Sequence, residues 1–117
     1  MPQDRERLER FLPLKPLVLD ILMALSDGKR HGWSLVREVQ EREGGQRILP
    51  GNFYRTLRSL KDDGFIEEAA GDSDEDPSER RQYFRLTTLG TKVARAEARR
   101  IKTLVVDPRM QKLLKAR

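Results

Sequence analysis

The sequence predicts a mainly α-helical domain with one small β-hairpin, which is an α+β fold. An amphipathic run from Asn52 to Asp63 stops at Gly64, as a helix with a glycine cap does. A short apolar segment follows and leads into an acidic, turn-rich loop, after which a basic strand returns over residues 80–86. Helix, strand, loop and strand in this order indicate a winged helix-turn-helix.

Composition favours one domain with an anionic partner, although composition alone does not decide this. The 117 residues suffice for a modest core, and the charged share of 37% exceeds the globular average of about 25%. The net charge is +5. The segment from Glu67 to Glu79 holds seven acidic residues and no Lys or Arg, so the rest of the chain is more basic than the total implies.

Several classes of function are not expected. The chain has no cysteine and a single histidine, His31, so we expect no metal site and no cofactor. It shows no Ser/His/Asp set, paired carboxylates or phosphate-cradling glycine loop, so we expect no enzyme. No apolar run approaches the ~20 residues of a membrane span, and the start lacks a signal-peptide core. We therefore expect a cytoplasmic protein.

The first part of the chain reads as an extension followed by two helices. Residues 1–13 form the extension, which can hold a short helix over residues 4–11. Apolar residues at helical spacing between Leu14 and Leu25 predict the first helix, with Pro16 in its first turn and Asp20 on its exposed side. His31 and Gly32 predict a turn, capped or packed by the histidine, before a second helix that ends near residue 42.

The third helix is predicted to begin at Asn52, a favourable N-cap residue. Its apolar face carries Phe53, Leu57 and Leu60, and two strands of a hairpin follow over residues 65–70 and 80–86. Cations on the opposite face suit guanine edges and phosphates, although a solvated charged face is the alternative. Strand arginines suit phosphates too, or neutralise the acidic loop. The predicted DNA-contacting residues are Asn52, Tyr54, Arg55, Arg58, Ser59, Lys61, Arg80 and Arg81.

A last long helix is predicted to start at Thr87 or Thr88 and to break and restart at Asp107-Pro108. Residues 14–87 then form the winged-helix domain, and residues 88–117 form a dimerisation region that is too long to be hidden by this domain. A homodimer would place two recognition helices about 34 Å apart, which matches a palindromic operator on double-stranded DNA. The predicted dimer-interface residues are Leu89, Val93, Ala96, Ile101, Leu104 and Val105.

Five segments together resemble the PadR family of bacterial and archaeal transcriptional regulators. The resemblance covers roughly residues 14–95 and implies a homodimeric repressor whose last helix builds the dimer interface. Arg55 stands where the family has proline, and the acidic wing tip argues against a phosphate contact there. The matching segments are Leu17–Leu22, His31–Leu35, Gly51–Leu60, Asp63–Ile66, and Arg80–Thr87 with Gly90.

Two alternatives stay open beside this interpretation. The same fold serves as a protein-interaction module in which the basic face only solubilises, but an apolar patch on the third helix would be expected there and none is evident. Trp33 stands where the family has tyrosine. Since relatives bind flat aromatic compounds, it is a candidate ligand-stacking residue for an unknown effector, but packing into the core or the dimer seam is the preferred interpretation.

Overall fold

The computed structural model describes residues 7–42, 49–70 and 83–116. A mostly helical chain with a small antiparallel sheet confirms the predicted fold class. Residues 7–9 are helical, and the rest of the predicted short helix lies partly outside the described residues. The elements are α1 (Pro16–Leu25), β1 (Arg30–His31), α2 (Gly32–Glu41), α3 (Pro50–Asp62), β2 (Ile66–Ala69), β3 (Tyr83–Leu86), α4 (Thr88–Val105) and α5 (Pro108–Lys115).

The core is formed where α1, α2 and α3 meet the sheet and the first part of α4. Each helix contributes apolar residues at helical spacing, and α4 packs against α1 and β3. Removing this apolar surface from water stabilises the fold by roughly 25 cal/mol per Å². The side chains of the core with the least exposure are Ile21, Leu22, Leu35, Val39, Phe53, Ile66 and Val93.

The sheet has three strands in the order β1-β3-β2, and both pairings are antiparallel. The predicted hairpin is confirmed; β2 is shorter than the predicted residues 65–70, and residues 80–82 of the predicted returning strand lie outside the described part of the chain. β1 was predicted as a turn, which is wrong: Arg30 pairs with Phe84 and His31 with Tyr83. Two residues are too few to show the alternating pattern by which a strand is recognised in a sequence.

His31 also caps α2, as one of the two predicted roles requires. Its Nδ1 accepts a hydrogen bond of 3.2 Å from the backbone N–H of Ser34. Its ring packs edge-on against Tyr83 at a centroid distance of 5.5 Å. One side chain therefore joins the start of α2 to the central strand.

The start of α3 differs from the prediction. The helix begins at Pro50 with Leu49 as its N-cap residue, so the assignment of Asn52 as the cap is wrong. The ring of proline fixes φ near the helical value and lacks the N–H that a first-turn residue leaves unpaired, which favours Pro50 at this position. Asn52 instead lies in the first turn, where its backbone oxygen accepts a hydrogen bond from the hydroxyl of Thr56.

The end of α3, the sheet and the start of α4 share one compact junction. The N–H of Gly64 donates to Lys61 O and that of Phe65 to Leu60 O, which is a Schellman motif with Gly64 at φ +82°. The backbone N–H of Thr87 donates to Phe65 O at 3.1 Å. A Cβ on Gly90 would lie 1.9 Å from the same oxygen, so no other residue fits there without a backbone shift.

The last two helices begin where the sequence predicts. The Thr87 hydroxyl accepts a hydrogen bond from Gly90 N–H, and an Asp107 carboxylate oxygen accepts one from Arg109 N–H. The only buried residues of α4 are Gly90, Val93 and Glu97, and none of α5 is buried. The second part of α4 and all of α5 therefore extend beyond the core.

Candidate nucleic-acid interface

Helix α3 separates its side chains into two faces. Phe53, Leu57 and Leu60 are buried against the core. All six side chains predicted to contact DNA from this helix are exposed on its remaining surface. They are Asn52, Tyr54, Arg55, Arg58, Ser59 and Lys61.

The exposed cations of α3 fall into two groups. Lys61 forms an ion pair of 2.9 Å between its Nζ and Oε1 of Glu68 on β2. Within residues 7–42, 49–70 and 83–116, Arg55 and Arg58 have neither an ion-pair nor a hydrogen-bond partner. One helical turn separates the two guanidinium groups, so both can reach the same anionic surface.

The described strands of the hairpin carry balanced charge. Glu67 and Arg85 are opposite each other in the β2–β3 pairing, and Arg85 Nε lies 2.8 Å from Glu67 Oε1. With Lys61 bound to Glu68, the exposed charge near the hairpin is paired. The predicted contacts from Arg80 and Arg81 and the acidic tip lie outside the described residues.

Tyr54 joins the exposed face of α3 to the start of α2. Its ring packs edge-on against that of Phe53, and its side chain is 48% exposed. A Cβ on Gly32 would lie 3.3 Å from Tyr54 Cε1, so a glycine at the start of α2 lets this ring approach closely. The phenol is thus held at the edge of α3 beside the N-terminus of a second helix.

The N-terminal end of α3 was not singled out from the sequence. Its first turn contains no acidic residue, and its cap has no side-chain hydrogen bond. No described atom would lie within 4 Å of a Cβ on Gly51, so the backbone there is accessible. Unpaired N–H groups and the helix dipole make such an end attractive to phosphate.

Trp33 does not pack into the core of the chain, and that part of the preferred interpretation is wrong. Its side chain is 62% exposed at the start of α2. Leu35, Val36 and Val39 supply the buried face of this helix instead. The helical phase that buries these three residues directs Trp33 outward.

The residues predicted to form the dimer interface differ in their burial. Val93 is fully buried in the core of its own chain, so its assignment to an interface is wrong. Ala96 and Ile101 are half-buried, and Leu89, Leu104 and Val105 are exposed. Three further apolar residues after α4 are exposed, namely Val106 between the two helices and Leu113 and Leu114 on α5.

Two acidic residues occupy positions that sequence reasoning missed. Asp20 was expected on the exposed side of α1, which is wrong: it is buried and pairs with Arg42 at 2.8 Å. Glu97 on α4 is 1% exposed. One of its oxygens accepts a 2.6 Å hydrogen bond from the backbone N–H of Leu14, and the other binds Arg100.

The environment of Glu97 acts on its pKa in two directions. Burial raises the pKa, whereas the hydrogen bond from Arg100, the N–H of Leu14 and the charge of Arg100 lower it. The lowering effects prevail, so the pKa lies below the ordinary value of 4.5 and the carboxylate is charged at neutral pH. Glu97 thereby ties the segment before α1 to the middle of α4.

Neither a metal centre nor a membrane-spanning helix is found in the described part of the chain. No group of three or more His, Asp or Glu side chains is placed there to hold a metal ion. None of the helices in those ranges is both long enough and apolar enough to cross a membrane.

Comparison with known proteins identifies relatives of this architecture. The family model described as "Transcriptional regulator PadR-like family" matches residues 21–96. A PadR-like transcriptional regulator of Bacillus cereus is similar with a TM-score of 0.71 and 20% identity, over 86% of this chain and 93% of that chain. RosR of H. salinarum has a TM-score of 0.64 and 23% identity, with 90% of each chain covered.

A third similar structure is a PadR family transcription regulator of Clostridium difficile. Its TM-score is 0.62 and its identity 21%, over 78% of this chain and 95% of that chain. No curated protein sequence matches the chain significantly.

Proposed function

The chain belongs to the PadR-like family of transcriptional regulators, and from this premise we propose that it binds duplex DNA as a homodimer. Helix α3 enters the major groove in this proposal. The observation that carries it is the pair Arg55 and Arg58, which are exposed on α3 and have no partner within the described residues. Unpaired guanidinium groups on a helix whose other face is fixed in a core suit base edges and phosphates.

The other side chains of α3 supply contacts around these two arginines. Asn52 and Ser59 offer short polar groups to base edges or phosphates, and Tyr54 offers an amphipathic ring at the edge of the helix. The accessible N-terminus of α3 receives a phosphate of one strand. Lys61 reaches DNA only by leaving Glu68, so we rank it below the arginines. Arg80 and Arg81 remain proposed phosphate contacts of the wing.

The homodimer rests on the apolar surface that the single chain leaves exposed. Leu104 is 44% exposed and Leu113 is 70% exposed, and both lie beyond the last buried residue of α4. Covering such side chains with a second copy gains roughly 25 cal/mol per Å². A two-fold axis through α4 and α5 would present two α3 helices to successive major grooves, which suits a palindromic operator.

We propose repression as the outcome of binding, because a dimer seated on a promoter excludes other proteins from the same DNA. A reporter gene behind the selected operator checks this: expression falls when the protein is present and recovers with an α3 variant. Activation in the same assay would reverse the assignment.

A protein-interaction module is the competing function, and the surface of α3 does not favour it. Tyr54 is the one large hydrophobic residue of that helix that the described structure exposes. The exposed apolar residues cluster on α4 and α5 instead.

The deciding experiment measures DNA binding of Arg55→Ala/Arg58→Ala after an operator has been selected from a random duplex pool. Loss of each arginine should cost about 1–3 kcal/mol, so the double variant binds at least roughly 25-fold more weakly. The slope of log affinity against log salt should also become shallower by about one for each phosphate that the variant no longer neutralises.

A matched control removes two cations elsewhere. Lys112→Ala/Lys115→Ala lowers the net charge by the same amount on α5 and should leave operator affinity within about twofold. Equal losses in the two double variants would mean that only net charge matters. Unchanged binding by the α3 variant would show that α3 is not the recognition helix.

A further inference from the structure

We propose that the outer face of α4 is a second binding surface, which holds the phosphate backbone of another segment of duplex DNA. This cationic stripe consists of Lys92, Arg95, Arg99 and Lys102. The inference rests on the proposed function, since it assumes that DNA is already bound through α3. It adds a second duplex on a different face of the same chain.

The stripe lies on the side of α4 that faces away from the core. Its members recur at i, i+3, i+7 and i+10, so they form one row along the helix. The buried residues of α4 are Gly90, Val93 and Glu97, and at 100° per residue they project from the opposite side. All four stripe residues are exposed, and α4 packs against α1 and β3. The stripe therefore points away from the domain that carries α3.

The charge of this face is not balanced within the described part of the chain. Glu97 is the single acidic residue of α4, and it is buried and bound to Arg100. None of the four stripe cations has an ion-pair or hydrogen-bond partner in residues 7–42, 49–70 and 83–116. By contrast, Arg37 on α2 pairs with Glu41, and Lys61 on α3 pairs with Glu68.

Four cations in one row repel one another, and like charges three or four positions apart destabilise a helix. An anionic polymer removes this repulsion. The row spans roughly 15 Å along the helix axis, and each strand of a duplex carries a phosphate about every 3.4 Å of the duplex axis. A duplex that lies against the row therefore presents several phosphates to the four cations.

The stripe also remains accessible in the proposed dimer. The exposed apolar residues of the second part of α4, Leu104 and Val105, lie on other sides of the helix than the stripe. A partner that covers them leaves the outer row open to solvent. Each bound dimer would then display two stripes for a second duplex.

The test uses the full chain with Lys92→Gln, Arg95→Gln, Arg99→Gln and Lys102→Gln combined, since glutamine removes the charge but stays polar and has a similar helix propensity. The selected operator is immobilised as a short duplex and saturated with protein. Capture of a fluorescent duplex of about 30 base pairs and unrelated sequence is then measured across salt concentrations. Circular dichroism verifies that the variant folds, and Arg55→Ala/Arg58→Ala reports on α3 separately.

We expect the stripe variant to bind the short operator within about twofold of the wild type and to capture the second duplex at least tenfold more weakly. The salt slope of capture should become shallower by roughly three to four per chain, since each neutralised phosphate contributes about 0.9. A wild-type protein that captures no second duplex overturns the proposal, as does a stripe variant that captures it equally well.

Two further outcomes also overturn it. If the stripe variant loses short-operator affinity together with the α3 variant, the row belongs to the operator interface. If wild-type protein binds vesicles of anionic phosphatidylserine through the stripe and captures no duplex, the partner is a membrane surface. Failure of the proposed function looks different, because the α3 variant would then bind operator as the wild type does.

Discussion

The two halves of α4 have different surroundings although they form one uninterrupted helix. Residues 88–97 contain the three buried residues of α4. In this half, Gly90 lies close to the backbone oxygen of Phe65 just before β2, and Glu97 carries a buried carboxylate. Residues 98–105 contain no buried residue and expose Leu104 and Val105. The first half packs into the core of its own chain, whereas the second half leaves apolar side chains exposed to solvent. Substitutions in the first half should therefore affect folding, and substitutions in the second half should affect assembly.

The largest effect on folding is expected from Gly90→Ala. The new Cβ would lie 1.9 Å from Phe65 O, so either α4 or the start of β2 must move. Overpacking of this kind costs about 3 kcal/mol, which urea unfolding would register as a lower midpoint. Gly51→Ala is the matched control, because no described atom lies within 4 Å of its Cβ and alanine favours helix. Equal destabilisation by both variants would contradict the close approach at Gly90.

Glu97→Ala should destabilise the fold by about 2–3 kcal/mol. It leaves the N–H of Leu14 and the guanidinium of Arg100 without their acceptor. Because the pKa of Glu97 is lowered in the folded state, its stabilising effect is present above the ordinary pKa of 4.5 and is lost as pH falls through the folded value. The stability difference between wild type and Glu97→Gln, measured by thermal unfolding, should therefore shrink as the pH falls below 4.5 and through the lowered pKa. A difference that grows on acidification would contradict the lowered pKa.

Thr87→Ala should cost about 1 kcal/mol, since it removes the cap of the docked end of α4. The comparable change at the second helix start is Asp107→Ala, which uncaps α5 outside the core. We expect the first variant to lower the global unfolding midpoint and the second to reduce helical circular dichroism without moving that midpoint. If both variants move the midpoint alike, α5 folds as part of the core, and the contrast between the two halves is weaker than described.

The smallest effect on folding and the largest on assembly are expected from Leu104→Ser/Leu113→Ser. Both side chains are exposed in the single chain, so the domain should lose less than about 0.5 kcal/mol. Each leucine covered by a partner contributes roughly 1.5–3 kcal/mol, so the dimer should weaken by at least about 100-fold. Sedimentation at micromolar concentration measures this, with Val93→Ser as the contrasting variant that destabilises the domain because Val93 is buried in its core. An unchanged dimer would place the interface elsewhere.

Signals within a few residues of each other predicted the helices and strands, whereas contacts between residues far apart in the sequence explain which predictions were wrong. Thr87 and the Asp107-Pro108 step were recognisable because a cap and a first-turn proline act within a few residues. Val93 was assigned to an interface because an apolar residue on a charged helix has the same pattern whichever neighbour covers it. Which neighbour covers it depends on how α4 lies against α1, and no periodicity reports that angle.

The candidate site shows the same division between local and distant information. The exposed position of Arg55 and Arg58 followed from the spacing of Phe53, Leu57 and Leu60. The pairing of Lys61 with Glu68 depends on the fold bringing β2 beside α3. The burial of Glu97 depends on a backbone N–H that lies 83 positions away in the sequence, and no pattern near Glu97 indicates that it is buried.

The junction at Phe65 has a mechanical consequence for the proposed dimer. It joins the end of α3 to the start of α4, and α4 extends from it by 18 residues or roughly 27 Å. If α4 rotates relative to α3 by about 10° about this joint, the C-terminal end of α4 moves by roughly 5 Å. That displacement exceeds the rise of about 3.4 Å between neighbouring base pairs. The stiffness of this joint, together with the packing of Val93 and the hydrogen bond from Leu14 to Glu97, therefore determines how tightly the spacing between the two α3 helices is defined in the proposed dimer.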